Sequence, residues 1–195
     1  MEPARQQPAA EETDDGLVLR LADGCDGAMA TLSGRHLPSV LACSWRILGD
    51  RAEAEDVAQE TFVRLLRKAP EWRTDGPALR SWLLRVATNL CIDRRRARAR
   101  LAPMPENVER FDDRENGSLD DDLAIRRAVR KAVAALPDRQ RAALVLVHFQ
   151  GFSGQEAASA LGVSTEAVES LLARARRRLR KTLSPHVENL LEVRS

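Results

Sequence analysis

Tyrosine is absent from this 195-residue chain, and four phenylalanines and three tryptophans hold the aromatic content at 4%. No stretch alternates valine, isoleucine, threonine and aromatics for long enough to make a strand, so sheet architectures are excluded and an all-α fold is expected. Cysteine is scarce. Cys25, Cys43 and Cys91 are odd in number and lack C-x-x-C spacing. They read as reduced thiols in helices, which points to a cytoplasmic protein. The first fifteen residues are polar and acidic, with no apolar core for a signal peptide. The longest nearly apolar run, residues 142–149, is too short to cross a bilayer, so no membrane insertion is expected. His36, His148 and His186 are scattered; there is no nucleophile pattern and no glycine-rich phosphate loop. The chain is therefore expected to be no enzyme, with no catalytic residues, no cofactor and no metal.

What is present is helix-forming residues and segregated charge. The net charge of +2 hides an uneven distribution: residues 1–15 carry five acids and one base, and residues 106–122 carry eight acids and two bases. The remainder therefore holds about +12, concentrated at 94–100 and 174–181, and such an excess favours a polyanionic partner. The organisation predicted from these shifts is a disordered tail (1–13), a helical domain (14–100), a flexible acidic linker (101–119), a second helical domain (120–184) and a C-terminal tail (185–195). In the first domain, helical patterns cover 17–22, 28–48, 52–68 and 79–100. Pro38 falls inside the second, predicting a kink or a late start. In the second domain, helices are predicted at 123–136 and 138–149, with Pro137 at a tolerated first-turn position.

Residues 153–181 are the most informative. Ser153 and Glu156 form an S-x-x-E capping box that starts a short helix. Gly162 supplies a turn, and Ser164 can cap a second helix. Ala157, Ala158, Leu161, Val163, Val168 and Leu171 give the two helices a small shared core. Thr165, Glu166, Glu169, Ser170 and Arg174 face outward. A helix-turn-helix of this kind places its second helix in the DNA major groove, and six basic residues among the eight of 174–181 suit phosphates. The same residues also read as an ordinary antiparallel helix pair with a solvated basic end.

Two segments of the first domain carry further signals. In DVAQETF (56–62), Val57, Ala58 and Phe62 can be buried, leaving Asp56, Gln59 and Glu60 on the opposite face. Two carboxylates and an amide suit an arginine-bearing partner, although a solvated acidic face is the usual reading of such a cluster. In RSWLLRVATNL (80–90), Trp82 precedes Asn89 by seven residues and leads into Arg94, Arg95 and Arg96. An aromatic that stacks, an amide that reads a base edge and arginines that hold phosphates are what capture of a single strand requires. Helical spacing alone would equally make Trp82 a core residue.

Together, DVAQETF, the SWL…N…DRRR run at 81–96, LPDRQR at 136–141, and the helix-turn-helix ending ARAR at 173–176 resemble the extracytoplasmic-function (group IV) sigma factors of bacterial RNA polymerase. The match covers about residues 14–183. It implies two helical domains, sigma regions 2 and 4, and binding to the β′ clamp helices and β flap of core RNA polymerase. Asp56, Gln59 and Glu60 would contact polymerase. Trp82, Asn89, Arg94, Arg95 and Arg96 would serve the promoter −10 element and its melting. Thr165, Glu169, Ser170, Arg174, Arg176 and Arg177 would serve the −35 element. The resemblance also implies an anti-sigma partner, and an acidic linker that repels nucleic acid until displaced. The linker would allow a compact state with both DNA faces hidden. Glu169 stands where many relatives carry arginine, so it could accept from cytosine but not donate to guanine. The other classes to separate are a stand-alone helix-turn-helix regulator, which would bind duplex DNA without polymerase, and a helical adaptor with merely solvated basic runs.

Overall fold

The computed structural model describes residues 12–101 and 120–193. Among these residues there is no strand, in keeping with the all-α expectation. Most of the predicted tail 1–13 and of the linker 101–119 lies outside them.

The first unit is built from four helices: α1 (Asp14–Ala22), α2 (Asp26–Leu48), α3 (Arg51–Lys68) and α4 (Leu79–Leu101). Local chemistry sets their ends. The Thr13 hydroxyl accepts from the Gly16 amide and starts α1. Gly49, at φ +77°, closes α2 in the left-handed conformation, and Asp50 then caps α3 by accepting from the Glu53 amide at 3.0 Å. Helices α2, α3 and α4 pack around Leu32, Val40, Ile47, Val57, Leu65, Leu83, Leu84 and Ala87, all buried. Each buried Leu, Val or Ile contributes about 1.5–3 kcal/mol relative to exposure. A 3-10 turn (Ala69–Glu71) leads into the loop before α4.

Helix α1 buries Leu17, Val18 and Leu21 in the same core and adds polar contacts. Asp14 bonds Arg35 (2.9 Å) and His36 (2.7 Å), and Asp15 accepts from the Trp72 indole (2.8 Å). The late start expected at Pro38 does not occur: α2 runs unbroken through it from Asp26. Proline leaves the carbonyl one turn back without a donor, but Gly34, Arg35, Leu37 and Pro38 are all exposed, so water can take the place of the missing amide.

The second unit holds α5 (Asp120–Ala134), α6 (Asp138–Leu144), a π-helical turn (Val145–Phe149), α7 (Gly154–Leu161) and α8 (Thr165–Val193). The predicted helix at 138–149 thus changes pitch midway, with the Gln150 amide reaching back five residues to Val145. Helix α8 also continues through the expected tail at 185–195 as far as Val193. Leu183, Val187, Leu190 and Leu191 keep a helical period there, and Pro185 does not interrupt it.

The two units are packed together. Helix α4 lies along α7 and α6, and one apolar cluster runs from Leu79, Leu83 and Leu84 into Phe152, Ala157 and Ala160. Polar contacts pin the seam. Ser39 donates to the Gln150 side-chain carbonyl (2.8 Å), and Arg80 donates to the Gln150 backbone carbonyl (2.7 Å). Arg95 pairs with Asp138. Arg141 is wholly buried and donates to the Ile47 carbonyl (2.7 Å) and the Leu136 carbonyl (3.3 Å).

The three thiols occupy different environments. Burial pushes Cys43 up to about 11 and Cys91 up to about 12. Cys25 is half-buried at the start of α2, where a hydrogen bond from Arg20 (3.1 Å), then one from the Ala28 amide, lowers its pKa. A thiol reagent such as DTNB at pH 7 should modify one cysteine per native chain and the other two only in denaturant. Arg20→Ala should shift the pH–rate midpoint upward, because the thiolate loses its donor. Equal reactivity of all three thiols would contradict this assignment.

Candidate nucleic-acid interface

The helix-turn-helix forms as the local sequence dictates. Ser153 accepts from the Glu156 amide, and Glu156 accepts from the Ser153 amide at 2.8 Å, completing the capping box. That amide, then the Ser153 hydroxyl, lowers the Glu156 pKa. Gly162 takes φ +62°, which a side chain would strain, and the Ser164 hydroxyl accepts from Ala167 to open α8. Val168, Leu172 and Ala175 are buried under α8. Glu169, Ser170, Arg174, Arg176 and Arg177 are exposed, and Thr165 is half-buried. Arg174, Arg176, Arg177, Arg178 and Arg180 have no carboxylate partner among the described residues. This face therefore presents a row of cations to solvent.

The basic end of α4 differs in electrostatics. Arg94 reaches Asp56 (3.5 Å) and the Glu53 carbonyl (3.3 Å), Arg96 stands 4.0 Å from Asp93, and Arg95 and Arg98 pair with Asp138 and Glu53. Every one of these four arginines has an internal carboxylate. Trp82 is half-buried and meets Trp72 edge-to-face, with ring centroids 5.9 Å apart and planes at 87°. Both indoles border an open cavity of about 400 Å³ with Lys68, Arg73, Gly76 and Pro77. Asn89 is exposed two turns further along α4. The structure thus places Trp82, Asn89 and the arginine run along one helix, while the α8 residues lie on the other unit.

On α3, Asp56 and Gln59 are exposed and Glu60 is half-buried. A hydrogen bond from Arg64 (2.9 Å) holds the Glu60 carboxyl below the usual carboxylate range. Gln59 edges an apolar groove of about 540 Å³ between α2 and α3, lined by Met29, Leu37, Leu41, Phe62 and Leu66. Sequence reading missed this groove. Its signal was the excess of leucines around α2 and α3: Leu37 and Leu66 remain 39% and 51% exposed. An exposed apolar strip beside an acidic rim is the form of a protein contact. Also missed were Trp72, Gln150 and Arg141, which make their contacts with residues far away in sequence.

Among the described residues no group of three His, Cys, Asp or Glu could hold a metal ion, and no helix is long and apolar enough to cross a membrane.

The geometry is that of two packed helical units, the second ending in a helix-turn-helix, and known proteins share it. Residues 32–101 match the family model for sigma-70 region 2 and residues 126–179 that for sigma-70 region 4. Over 92% of its length the chain is 33% identical to the ECF RNA polymerase sigma factor SigE of Mycolicibacterium smegmatis, of which it covers 71%. It is 40% identical over 67% of its length to the ECF RNA polymerase sigma factor SigM of Mycobacterium tuberculosis, of which it spans 64%. The sigma factor RpoE from Bartonella quintana, solved in complex with the anti-sigma factor NepR, aligns at a TM-score of 0.59 and 26% identity, over 76% of this chain and 91% of that one. The chain belongs to the extracytoplasmic-function RNA polymerase sigma factors.

Proposed function

We propose that this chain is a non-catalytic cytoplasmic factor that joins core RNA polymerase and directs it to a subset of promoters. Residues 14–100 act as region 2 and residues 120–184 as region 4. Asp56, Gln59 and Glu60, with the neighbouring groove, meet the β′ clamp helices, and the second unit meets the β flap. Trp82 and Asn89 capture a base of the opened −10 element, and Arg94, Arg95 and Arg96 follow the backbone. Thr165, Glu169, Ser170, Arg174, Arg176 and Arg177 read the −35 element. An anti-sigma protein controls the factor, as NepR accompanies RpoE. No cofactor is required.

The observation that carries this reading is the separation of two chemically different surface faces on two units, both suited to nucleic acid. One is an aromatic and amide face on α4; the other is a free cationic helix, α8. A bidentate base contact discriminates by only about 1–3 kcal/mol. Two weak readers gain selectivity when one platform holds them at a fixed spacing. Unstacking a base costs a few kcal/mol, which stacking on the Trp72–Trp82 corner and a hydrogen bond from Asn89 would offset.

The test is run-off transcription with core polymerase and genomic promoter fragments. Adding this chain should produce discrete start sites that core polymerase alone does not use. Gln59→Ala should weaken core binding with helicity intact. Asn89→Ala should slow open-complex formation by about tenfold, from the loss of one base contact, while closed-complex binding changes little. Unchanged start sites would overturn the proposal, and tight sequence-specific duplex binding without polymerase would favour a stand-alone regulator.

A further inference from the structure

We propose that Asp15 is a positioning residue for strand capture: it fixes the Trp72 indole, and through that ring the surface that Trp72 and Trp82 present to an unpaired base. This assignment rests on the reading of the two indoles given above and adds the residue that orients them. Asp15 lies outside residues 32–101, the part of the chain that matches sigma-70 region 2.

The Trp72 ring needs such a residue because a tryptophan has two broad orientations about its outer side-chain bond. Edge-to-face packing on Trp82, with centroids 5.9 Å apart and planes at 87°, sets the plane of the ring. It does not set which edge carries the N–H. A half-turn keeps the plane but carries the six-membered ring to the other side, and so changes the surface offered to a base. The hydrogen bond from Nε1 to the Asp15 carboxylate, 2.8 Å long, selects one orientation. The indole nitrogen is a donor only, and an ionised carboxylate is among its strongest acceptors. The bond is also partly buried, where it is stronger than in open water.

Helix α1 is a firm base for that acceptor, because Leu17, Val18 and Leu21 are buried in the core of the first unit. Asp15 sits in its first turn, where the aligned peptide dipoles favour a negative charge. The two neighbouring carboxylates divide the work: Asp14 is engaged by Arg35 and His36, and Asp15 faces the loop. The charged side chains around that loop pair with near neighbours, Lys68 with Glu71 and Arg73 with Asp75. The indole bond spans 57 positions and fixes the aromatic wall to a separate helix. Both indoles border the open cavity of about 400 Å³, and Asp15 is not among its lining residues. Asp15 therefore acts through Trp72 and not on the base.

The test uses holoenzyme made from the full chain and core polymerase, on a promoter fragment selected by the run-off assay. Permanganate reactivity of unpaired thymines follows opening. Asp15→Ala should slow opening about tenfold, the effect of one hydrogen bond to a charged acceptor, with closed-complex binding unchanged. Asp15→Asn keeps a side-chain carbonyl for the indole and should open within about threefold of the parent. Trp72→Phe keeps an aromatic face but no N–H, and should be as slow as Asp15→Ala. The double variant should be within about twofold of either single, because both remove the same bond. Asp14→Ala controls for the helix: it loses Arg35 and His36, so its melting temperature should fall at least as far as that of Asp15→Ala, yet its opening rate should stay within about twofold of the parent. Opening rates that track melting temperature across these variants, or an Asp15→Ala chain that opens as fast as the parent, would overturn the assignment and leave the sigma reading standing. A parent chain that gives no discrete start sites would overturn the sigma reading and this assignment with it.

Discussion

Arg141→Ala is expected to lower the unfolding free energy by about 2–4 kcal/mol, the cost of two lost hydrogen bonds to a charged donor plus a core cavity, partly offset by relief of a buried charge. Arg141 is fully buried, and its Nε atom has no partner. Burial, with a smaller contribution from neighbouring Arg95, lowers its pKa to about 9, so it still carries its proton at neutral pH. A buried cation with no carboxylate in hydrogen-bond contact is held by donors that reach the Ile47 and Leu136 carbonyls, with a through-space attraction to Asp138. Both carbonyls would be left unpaired by truncation. Arg141→Met separates the contributions: it refills the volume and removes the charge but restores neither hydrogen bond, so it should recover about half the loss. Urea titration followed by circular dichroism would measure both. A loss under about 0.5 kcal/mol for the alanine variant would show that water replaces the guanidinium in an open seam.

Replacing Arg174, Arg176 and Arg177 together with alanine is expected to cut duplex affinity on the order of a hundredfold near 0.1 M salt, because each released phosphate contact contributes about 0.9 to the slope of log K against log salt. The slope should flatten by about 2–3 over the same titration. The three side chains are exposed and without carboxylate partners among the described residues, so their removal should leave the fold intact. Fluorescence anisotropy across a salt series gives slope and affinity together. An unchanged slope would mean that the cations of α8 are only solvated, the adaptor reading. Arg95→Ala in the same assay should alter duplex affinity little, since Asp138 already occupies that guanidinium.

The parts of this molecule legible in its sequence are those whose cause is local. The Ser153–Glu156 capping box, the left-handed Gly162 and the buried Val57, Ala58 and Phe62 each follow from residues within a few positions of one another. The packing of the units was not legible, because its determinants are distant: Gln150 meets Ser39 across 111 residues and Arg141 meets Ile47 across 94. No periodicity encodes such a pair. An arginine in LPDRQR looks like any other charged residue until the α2 C-terminus is set against it. The late start expected at Pro38 failed for a related reason, since the penalty proline carries depends on whether the freed carbonyl faces water. Leu37 and Leu66 extend helical apolar stripes yet line an open groove, because a stripe wider than the neighbouring helices can cover leaves its edge bare. The roles of the arginines on α4 and α8 could not be told apart from composition. Only the positions of Asp56, Asp93, Asp138 and Glu53 distinguish them.

The fastening of α1 has a mechanical outcome. Asp14 grips Arg35 and His36 on α2, while the next residue, Asp15, accepts a hydrogen bond from the indole of Trp72, whose ring props Trp82. Two adjacent carboxylates thus splice the loop before α4 to the front of the chain. That loop is thereby tied to a nine-residue helix more than fifty positions upstream. Whatever pries the first helix loose also slackens the corner on which an extruded base would rest.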